Sequence, residues 1–120
     1  MKDPVMFSKD HLWLCENDNK VKIGLSEYAL KKMKSVVFLN LPEEGDEVSE
    51  GEAFGDIENL KTVSDLISPV SGTIESVNSE LSDDPDMIDR SSWLIEIRTD
   101  EVPDSLMTEE EYLKFIESEG

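Results

Sequence analysis

Residues 56–72 read Asp-Ile-Glu-Asn-Leu-Lys-Thr-Val-Ser-Asp-Leu-Ile-Ser-Pro-Val-Ser-Gly, with one basic residue, Lys61, near the middle. Apolar and polar residues alternate before this lysine, at Ala53, Gly55 and Ile57, and less regularly after it. Alternation with a period of two residues is typical of half-buried strands. The pattern therefore predicts strands over residues 52–58 and 63–67, with Lys61 near the turn that joins them.

Lys61 is the only basic residue between Lys34 and Arg90 in a chain of formal net charge -18. A lone amine at a hairpin tip suggests an attachment point for another group, although it could also be an ordinary solvated lysine. An enzyme that forms a Schiff base on a lysine needs burial or a cationic neighbour beside it. The sequence places Glu58 and Asp65 there instead, so we expect a protein without catalytic residues.

Length and composition predict one domain over residues 1–120, with a core over about 7–100 and a C-terminal helix over about 108–118. No window holds the 18 or so uninterrupted apolar residues of a membrane span. The first residues contain no apolar or Arg/Ser-rich stretch, and the single cysteine, Cys15, suits a reducing compartment. We therefore expect a cytoplasmic protein.

The acidic surface limits the classes of partner. Nucleic acids and anionic lipids are bound through clustered Lys and Arg, and this chain has 11 such residues against 29 Asp and Glu. We expect neither class of partner. The charge favours a basic protein surface as partner, and it also suits a soluble monomer.

Local signals outline the remaining elements. Strands are predicted at 11–16, 20–24, 36–39, 72–77 and 93–97, a helix at 26–34 with Ser26 as its N-cap, and a helical turn at 84–88. Thr108 and Glu111 have the spacing of a capping box that opens the last helix. Many short strands with Gly and Pro turns indicate a mainly β fold, an antiparallel sandwich or flattened barrel with short peripheral helices.

Five blocks of the chain resemble the H protein of the glycine cleavage system. The family's Glu-Ser-Val-Lys-Ala-x-Ser-Asp segment and Pro-Val-Ser-Gly run are matched by residues 58–65 and 69–72. Residues 11–13, 23–29 and 36–45 are similar, in order, to His-Glu-Trp, Val-Gly-Ile-Thr-x-x-Ala and Val-x-Phe-Val-x-Leu-Pro-x-x-Gly. The resemblance covers about residues 7–118, nearly the whole chain.

The resemblance implies a barrel-sandwich hybrid of the lipoyl and biotinyl carrier type, with lipoate attached covalently to Lys61. It also implies that Gly45, Glu58 and Gly72 form the context of the hairpin: the glycines let the backbone bend where the two half-sheets turn, and Glu58 helps a ligase to recognise the hairpin. The lipoyl group carries the redox chemistry, so the polypeptide is expected to be a non-catalytic carrier.

The partners implied by the resemblance are a lipoate ligase or lipoyltransferase, a glycine decarboxylase, an aminomethyltransferase and a dihydrolipoamide dehydrogenase. Leu12 replaces the glutamate of His-Glu-Trp, and residues 88–93 are a contracted form of the family's Asn-x-x-Pro-Tyr-x-x-Gly-Trp run. Two alternatives therefore stay open. The chain could be an H-like carrier for lipoate relay or another lipoate-dependent pathway such as sulfur oxidation, or an unmodified interaction module.

The remaining candidate residues favour structural roles. His11 is the only histidine, so a multi-histidine metal site is excluded, and we expect no metal. His11 and Cys15 lie four positions apart in a predicted strand, too far apart for a nucleophile and its base. We expect Trp13 and Trp93 to be core residues.

Overall fold

The computed structural model describes residues 5–119, which form nine strands, three α-helices and one 3-10 turn. The strands are β1 Val5–Phe7, β2 Leu12–Asn17, β3 Lys20–Leu25, β4 Phe38–Asn40, β5 Glu47–Val48, β6 Ala53–Glu58, β7 Val63–Ile67, β8 Gly72–Val77 and β9 Trp93–Arg98. The helices are α1 Glu27–Met33, α2 Ser79–Asp83 and α3 Glu109–Glu119, and the 3-10 turn is Pro85–Met87. The expected mainly β class is confirmed.

Two antiparallel sheets form the body of the protein. The larger sheet has the strand order β1-β2-β3-β9-β8-β5, and the smaller one has the order β4-β6-β7. The inner faces of both sheets contribute to one apolar core, which includes Ile23 and Ile97 from the larger sheet and Ile57 and Leu66 from the smaller. This is the expected barrel-sandwich arrangement.

An irregularity between β3 and β9 moves one tryptophan out of the core. Ile23 pairs with Ile95 and Gly24 pairs with Trp93, so β9 contains one more residue than β3 at this point. Such a β-bulge reverses the face to which the following side chains point. The ring of Trp93 consequently lies on the outer face, with its centroid 5.3 Å from Lys22 Nζ, and the expectation that Trp93 is a core residue is wrong.

Trp13 also lies outside the core, contrary to expectation. The neighbouring positions Leu12 and Leu14 are buried, and the indole of Trp13 lies half-buried on the opposite face of β2. Its ring packs directly over Gly24, where a Cβ atom would overlap the indole carbons. A glycine is therefore required at position 24 for the ring to rest on the strand.

A second irregularity changes the buried face of β6. The register shifts between Ala53 and Gly55, and Phe54 becomes buried while Ala53 is exposed. The simple alternation of Ala53, Gly55 and Ile57 is thus correct only for Ile57, because the bulge inserts Phe54 into the inward-facing set.

The first helix begins where the sequence predicts it. Ser26 Oγ accepts a hydrogen bond from the backbone N–H of Ala29 (3.2 Å), and Lys31 lies 3.9 Å from Glu27 one turn away. The helix ends at Met33 and is capped by Lys34, which has φ 61° and ψ -115°. Its N–H closes the last turn by donating to Leu30 O.

The C-terminal helix begins with the predicted capping box. The N–H of Glu111 donates to Thr108 Oγ1 (3.2 Å), and the N–H of Thr108 donates to the Glu111 carboxylate (2.9 Å). Tyr112 is buried, and its ring stacks on Phe7 of β1 with centroids 4.5 Å apart. The next residue, Leu113, is exposed, so the buried face of the helix is narrow.

No helix among residues 5–119 is both long and apolar enough to cross a lipid bilayer. The same residues contain no group of three or more His, Cys, Asp or Glu side chains placed to hold a metal ion.

Tyr112→Phe should destabilise the protein by about 1–2 kcal/mol, because the hydroxyl bonds to Ser26 Oγ (2.7 Å) and His11 Nδ1 (2.8 Å). Burial raises the pKa of Tyr112 above its ordinary value of 10.0, and the nearby Glu119 adds to the rise. The folded state therefore binds this proton more tightly than the unfolded chain does. The resulting stability is present below about pH 10 and is lost as the pH rises through the raised pKa.

Urea unfolding of the wild type and of Tyr112→Phe, at pH 7 and above pH 10, measures the loss of the hydrogen bonds and the pH dependence of stability. Tyr28→Phe is the matched control, because the buried hydroxyl of Tyr28 has no hydrogen-bond partner among the described residues. A loss of stability in Tyr28→Phe equal to that in Tyr112→Phe would contradict the assignment.

Lys34→Gly should stabilise the protein by about 1 kcal/mol, since a non-glycine residue at positive φ is strained and glycine is not. Lys32→Gly, within the helix, should instead destabilise it by about 1 kcal/mol. Thermal unfolding distinguishes the two variants. A melting temperature of Lys34→Gly below that of the wild type would show that backbone strain at Lys34 does not determine the effect of the substitution.

Candidate functional site

Lys61 lies in the connection between β6 and β7, as the sequence predicts. Glu58 pairs with Val63 at the end of the hairpin, and the N–H of Asn59 donates to Thr62 O (3.0 Å). These contacts close residues 59–62 into a short turn that projects from the smaller sheet.

The side chain of Lys61 is exposed, and no carboxylate of the described residues lies within 4.0 Å of its Nζ. An exposed amine without an ion-pair partner is accessible to an external enzyme. The turn thus leaves the amine of Lys61 open to solvent.

Asn59 holds the turn in shape through its side chain. Its Oδ1 accepts hydrogen bonds from the N–H groups of Lys61 (2.9 Å) and Thr62 (2.8 Å). Its Nδ2 donates to Met33 O (2.7 Å), at the end of α1. One amide group therefore fixes the backbone of the lysine and anchors the turn to the first helix.

Strand β7 makes a second contact with Met33. Met33 is buried, and Ser64 Oγ lies 3.9 Å from its sulfur atom. The strained Lys34 follows directly. The lysine hairpin thus packs against the end of α1.

Sequence reasoning missed the role of Asn59. The available signal was the ability of Asn to bond the backbone two or three residues ahead, which produces an Asx-turn. The bond to Met33 O could not be inferred, because it joins positions 26 residues apart.

Glu58 lies on the outer face of the smaller sheet. It pairs with Phe38 on one side and Val63 on the other, and its side chain is half-buried. Asp56 and Asp65 form the next cross-strand pair on the same face. This places Glu58 close to the turn that carries Lys61, at the end of an acidic surface.

Gly45 and Gly72 belong to the other part of the fold. Gly45 has φ 92°, and its N–H donates to Ile74 O (2.9 Å) of β8. Gly72 begins β8 so close to β9 that a Cβ atom would overlap Arg98 O. Their positions indicate that they shape the chain around β8, in the larger sheet, rather than the hairpin tip.

Leu12 is 1% exposed and packs in the apolar core. The replacement of the family's glutamate by leucine therefore changes a buried position. No acidic side chain is contributed from position 12 to any surface cleft.

A groove lined by aromatic side chains lies away from Lys61. It measures about 780 Å³ and is lined by Trp13, Trp93, Tyr28 and Tyr112, on the outer face of the larger sheet. Cys15 lines this groove, whereas His11 bonds to Tyr112 and lies 3.2 Å from Glu119. His11 thus contacts α3, and its observed partners are structural.

Asn59→Ala should loosen the turn, because the N–H groups of Lys61 and Thr62 lose their acceptor. We expect their amide hydrogen exchange to accelerate by about tenfold, the equivalent of one lost hydrogen bond. Asn59→Asp keeps the acceptor oxygen and loses the donor to Met33 O, so it should preserve protection at Lys61 while weakening the anchor to α1. Equal exchange at Lys61 in the wild type and Asn59→Ala would refute this role.

Comparison with known proteins agrees with this arrangement. A family model described as Glycine cleavage H-protein matches residues 5–119. Glycine cleavage system H proteins from two strains of Staphylococcus epidermidis are 40% and 39% identical over 116 residues, which is 92% of this chain and 92% of each relative.

A solved structure gives the same result. The crystal structure of a glycine cleavage system H protein from Mycobacterium marinum superposes with a TM-score of 0.85 at 35% identity, covering 95% of this chain and 97% of the other. The family model, the length of the match and the shared fold lead to one conclusion: the chain belongs to the glycine cleavage H-protein family of non-catalytic lipoyl carriers.

Proposed function

We propose that Lys61 is the residue to which lipoate is attached, as an amide of its Nζ atom. The observation that carries the proposal is an exposed amine, without an ion-pair partner among residues 5–119, on a turn fixed by Asn59. The match of residues 58–65 to the family's lipoylation segment supports the same position.

The residues around Lys61 fit this group. Attachment requires that Nζ displace the leaving group of an activated lipoyl carboxyl, which forms the amide and releases the leaving group and a proton. An exposed lysine can reach into another enzyme's active site, and the turn contains no side chain that would block it. Bound lipoate supplies a dithiolane for thiol exchange and group transfer.

The protein's own contribution is position. The hairpin holds the base of the cofactor arm at a fixed point, so each partner meets it at a high effective concentration. We propose that the arm takes an aminomethyl group from a glycine decarboxylase to an aminomethyltransferase and is reoxidised by dihydrolipoamide dehydrogenase. The cytoplasm is the proposed compartment.

A second candidate is an H-like carrier that serves lipoate relay or another lipoate-dependent pathway. It is favoured by Leu12, an apolar residue at the position where the resemblance implies a glutamate beside the loaded arm. The contracted segment before Trp93 is a second departure from the family's pattern, and it forms a turn held by Asp89. Asp89 there accepts hydrogen bonds from Ser91 and Ser92, and those from Ser91 lower the pKa of Asp89 most.

Co-expression with a lipoate ligase and added lipoate should increase the intact mass by one lipoyl group. The increment should disappear in Lys61→Arg, which keeps the charge but removes the acceptor amine, and it should persist in Lys32→Arg. An unmodified wild-type protein, or modification that survives Lys61→Arg, would refute the assignment.

The pathway is tested separately with the lipoylated protein. Glycine decarboxylase, assayed by exchange of labelled bicarbonate into glycine, should depend on the loaded protein. Lack of stimulation by a fully lipoylated protein would reject the glycine cleavage role and leave the alternative carrier function.

A further inference from the structure

Exposed apolar side chains are concentrated around Lys61. Of the large apolar side chains that are most exposed among residues 5–119, Phe38 (56%), Val63 (57%) and Leu60 (89%) lie at the lysine end of the smaller sheet. We call these three residues the hairpin patch.

The sheet register explains how the patch is assembled. Phe38 pairs with Glu58, and Glu58 pairs with Val63, so the three side chains stand in a row on one face. The alternate positions Leu39 and Ile57 are buried, which identifies that face as the outer one. Leu60 follows in the turn, immediately before Lys61.

Packing within the chain does not account for the patch. These side chains point away from the core, and exposed apolar groups gathered at one place mark interaction sites more often than isolated ones do. The lysine that we propose to be modified lies beside them, so the patch and the amine face the same partner.

Charge identifies the chemistry of that partner. Glu58 lies within the row, and Asp56 and Asp65 form the adjacent pair on the same face. On this face the described strands β4, β6 and β7 contain no Lys or Arg. A complementary surface would have an apolar depression bordered by Lys and Arg side chains.

Reach distinguishes among the partners. Attachment of lipoate requires the Nζ atom itself to enter the attaching enzyme, and a lysine side chain has only four methylene groups. That enzyme must therefore approach the backbone of the turn and cover its surroundings. Partners that act on the attached dithiolane meet the end of a longer arm and have no such requirement.

We propose that the hairpin patch is the docking surface for the enzyme that attaches lipoate. The patch would fit into an apolar depression on that enzyme, bordered by Lys and Arg side chains. The proposal rests on the proposed function, since it presumes that Lys61 is modified. The new element is the surface that the enzyme recognises, which consists of Phe38 on the neighbouring strand β4 and of Leu60 and Val63 on the two sides of Lys61.

The test measures the steady-state kinetics of lipoylation of the full-length unmodified protein by a purified lipoate ligase. Phe38→Ser and Leu60→Ser should each raise KM by about tenfold, the expected loss when a buried interface side chain is truncated, with kcat nearly unchanged. Leu113→Ser is the matched control, because Leu113 is 52% exposed on α3 and outside the patch. It should behave as the wild type does.

The charge component is tested with Glu58→Gln and Asp65→Asn. Each should raise KM and reduce the dependence of KM on salt concentration, since an attraction between opposite charges is removed. Thermal unfolding of every variant verifies that the fold is retained. An unaltered KM for both Phe38→Ser and Leu60→Ser in folded protein would overturn the proposal.

The remaining outcomes are also decisive. Wild-type protein that no ligase modifies would overturn the proposed function together with this inference, whereas normal modification of all patch variants overturns the inference alone. Unchanged lipoylation combined with impaired reaction of the loaded variants with glycine decarboxylase would assign the patch to that enzyme. A dimer in sedimentation that Phe38→Ser dissociates, again with unchanged lipoylation, would assign it to a second copy of the chain.

Discussion

The pairing of β9 with both β3 and β8 is the constraint on which the rest of the structure depends. β9 joins the amino-terminal strands to the segment that follows the lysine hairpin, and it thereby completes the six-stranded sheet. Leu94, Ile95 and Ile97 of this strand are fully buried. Because full burial of one such side chain contributes about 1.5–3 kcal/mol, the strand is a main anchor of the core. The smaller sheet can then cover the inner face of the larger one and leave its own hairpin turn in solvent.

The two faces of the larger sheet differ because of local irregularities. The bulge opposite Gly24 places Trp93 outside, and the lack of a side chain at Gly24 allows Trp13 to lie there too. The outer face thus acquires an aromatic surface, which α3 partly covers through Tyr112 and its contact with Phe7. The C-terminal helix is held mainly by this aromatic packing and by the hydrogen bonds of a single hydroxyl group.

Features coded by short stretches of sequence could be predicted. The capping box at Thr108, the N-cap at Ser26 and the hairpin around Lys61 each depend on residues within a few positions of one another, and each is present. The family and the fold class followed from several blocks in the same order. The lysine was identified because it is chemically isolated in the sequence.

Features that depend on distant parts of the chain could not be predicted. The faces to which Trp93 and Phe54 point are set by β-bulges. A bulge depends on the pairing with the partner strand, so the alternation of residues within the bulged strand does not reveal it. The predicted strand at 36–39 begins two residues later, at Phe38, and Phe38 is exposed because β4 is an edge strand whose outer face has no cover. The hydrogen bond from Asn59 to Met33 O likewise requires the folded chain.

The amide of Asn59 has a mechanical consequence for the arm that Lys61 would carry. Its oxygen restrains the backbone N–H of Lys61 itself, and its nitrogen ties the turn to the end of α1. The pivot of the arm is therefore the Cα atom of Lys61, and the freedom of movement begins with the side chain. A mobile turn would spread the tip of the arm over a wider volume and dilute it at every partner. A stationary pivot confines the tip to a sphere whose radius is the extended length of the arm, so that length sets the greatest distance at which a partner can hold its active site.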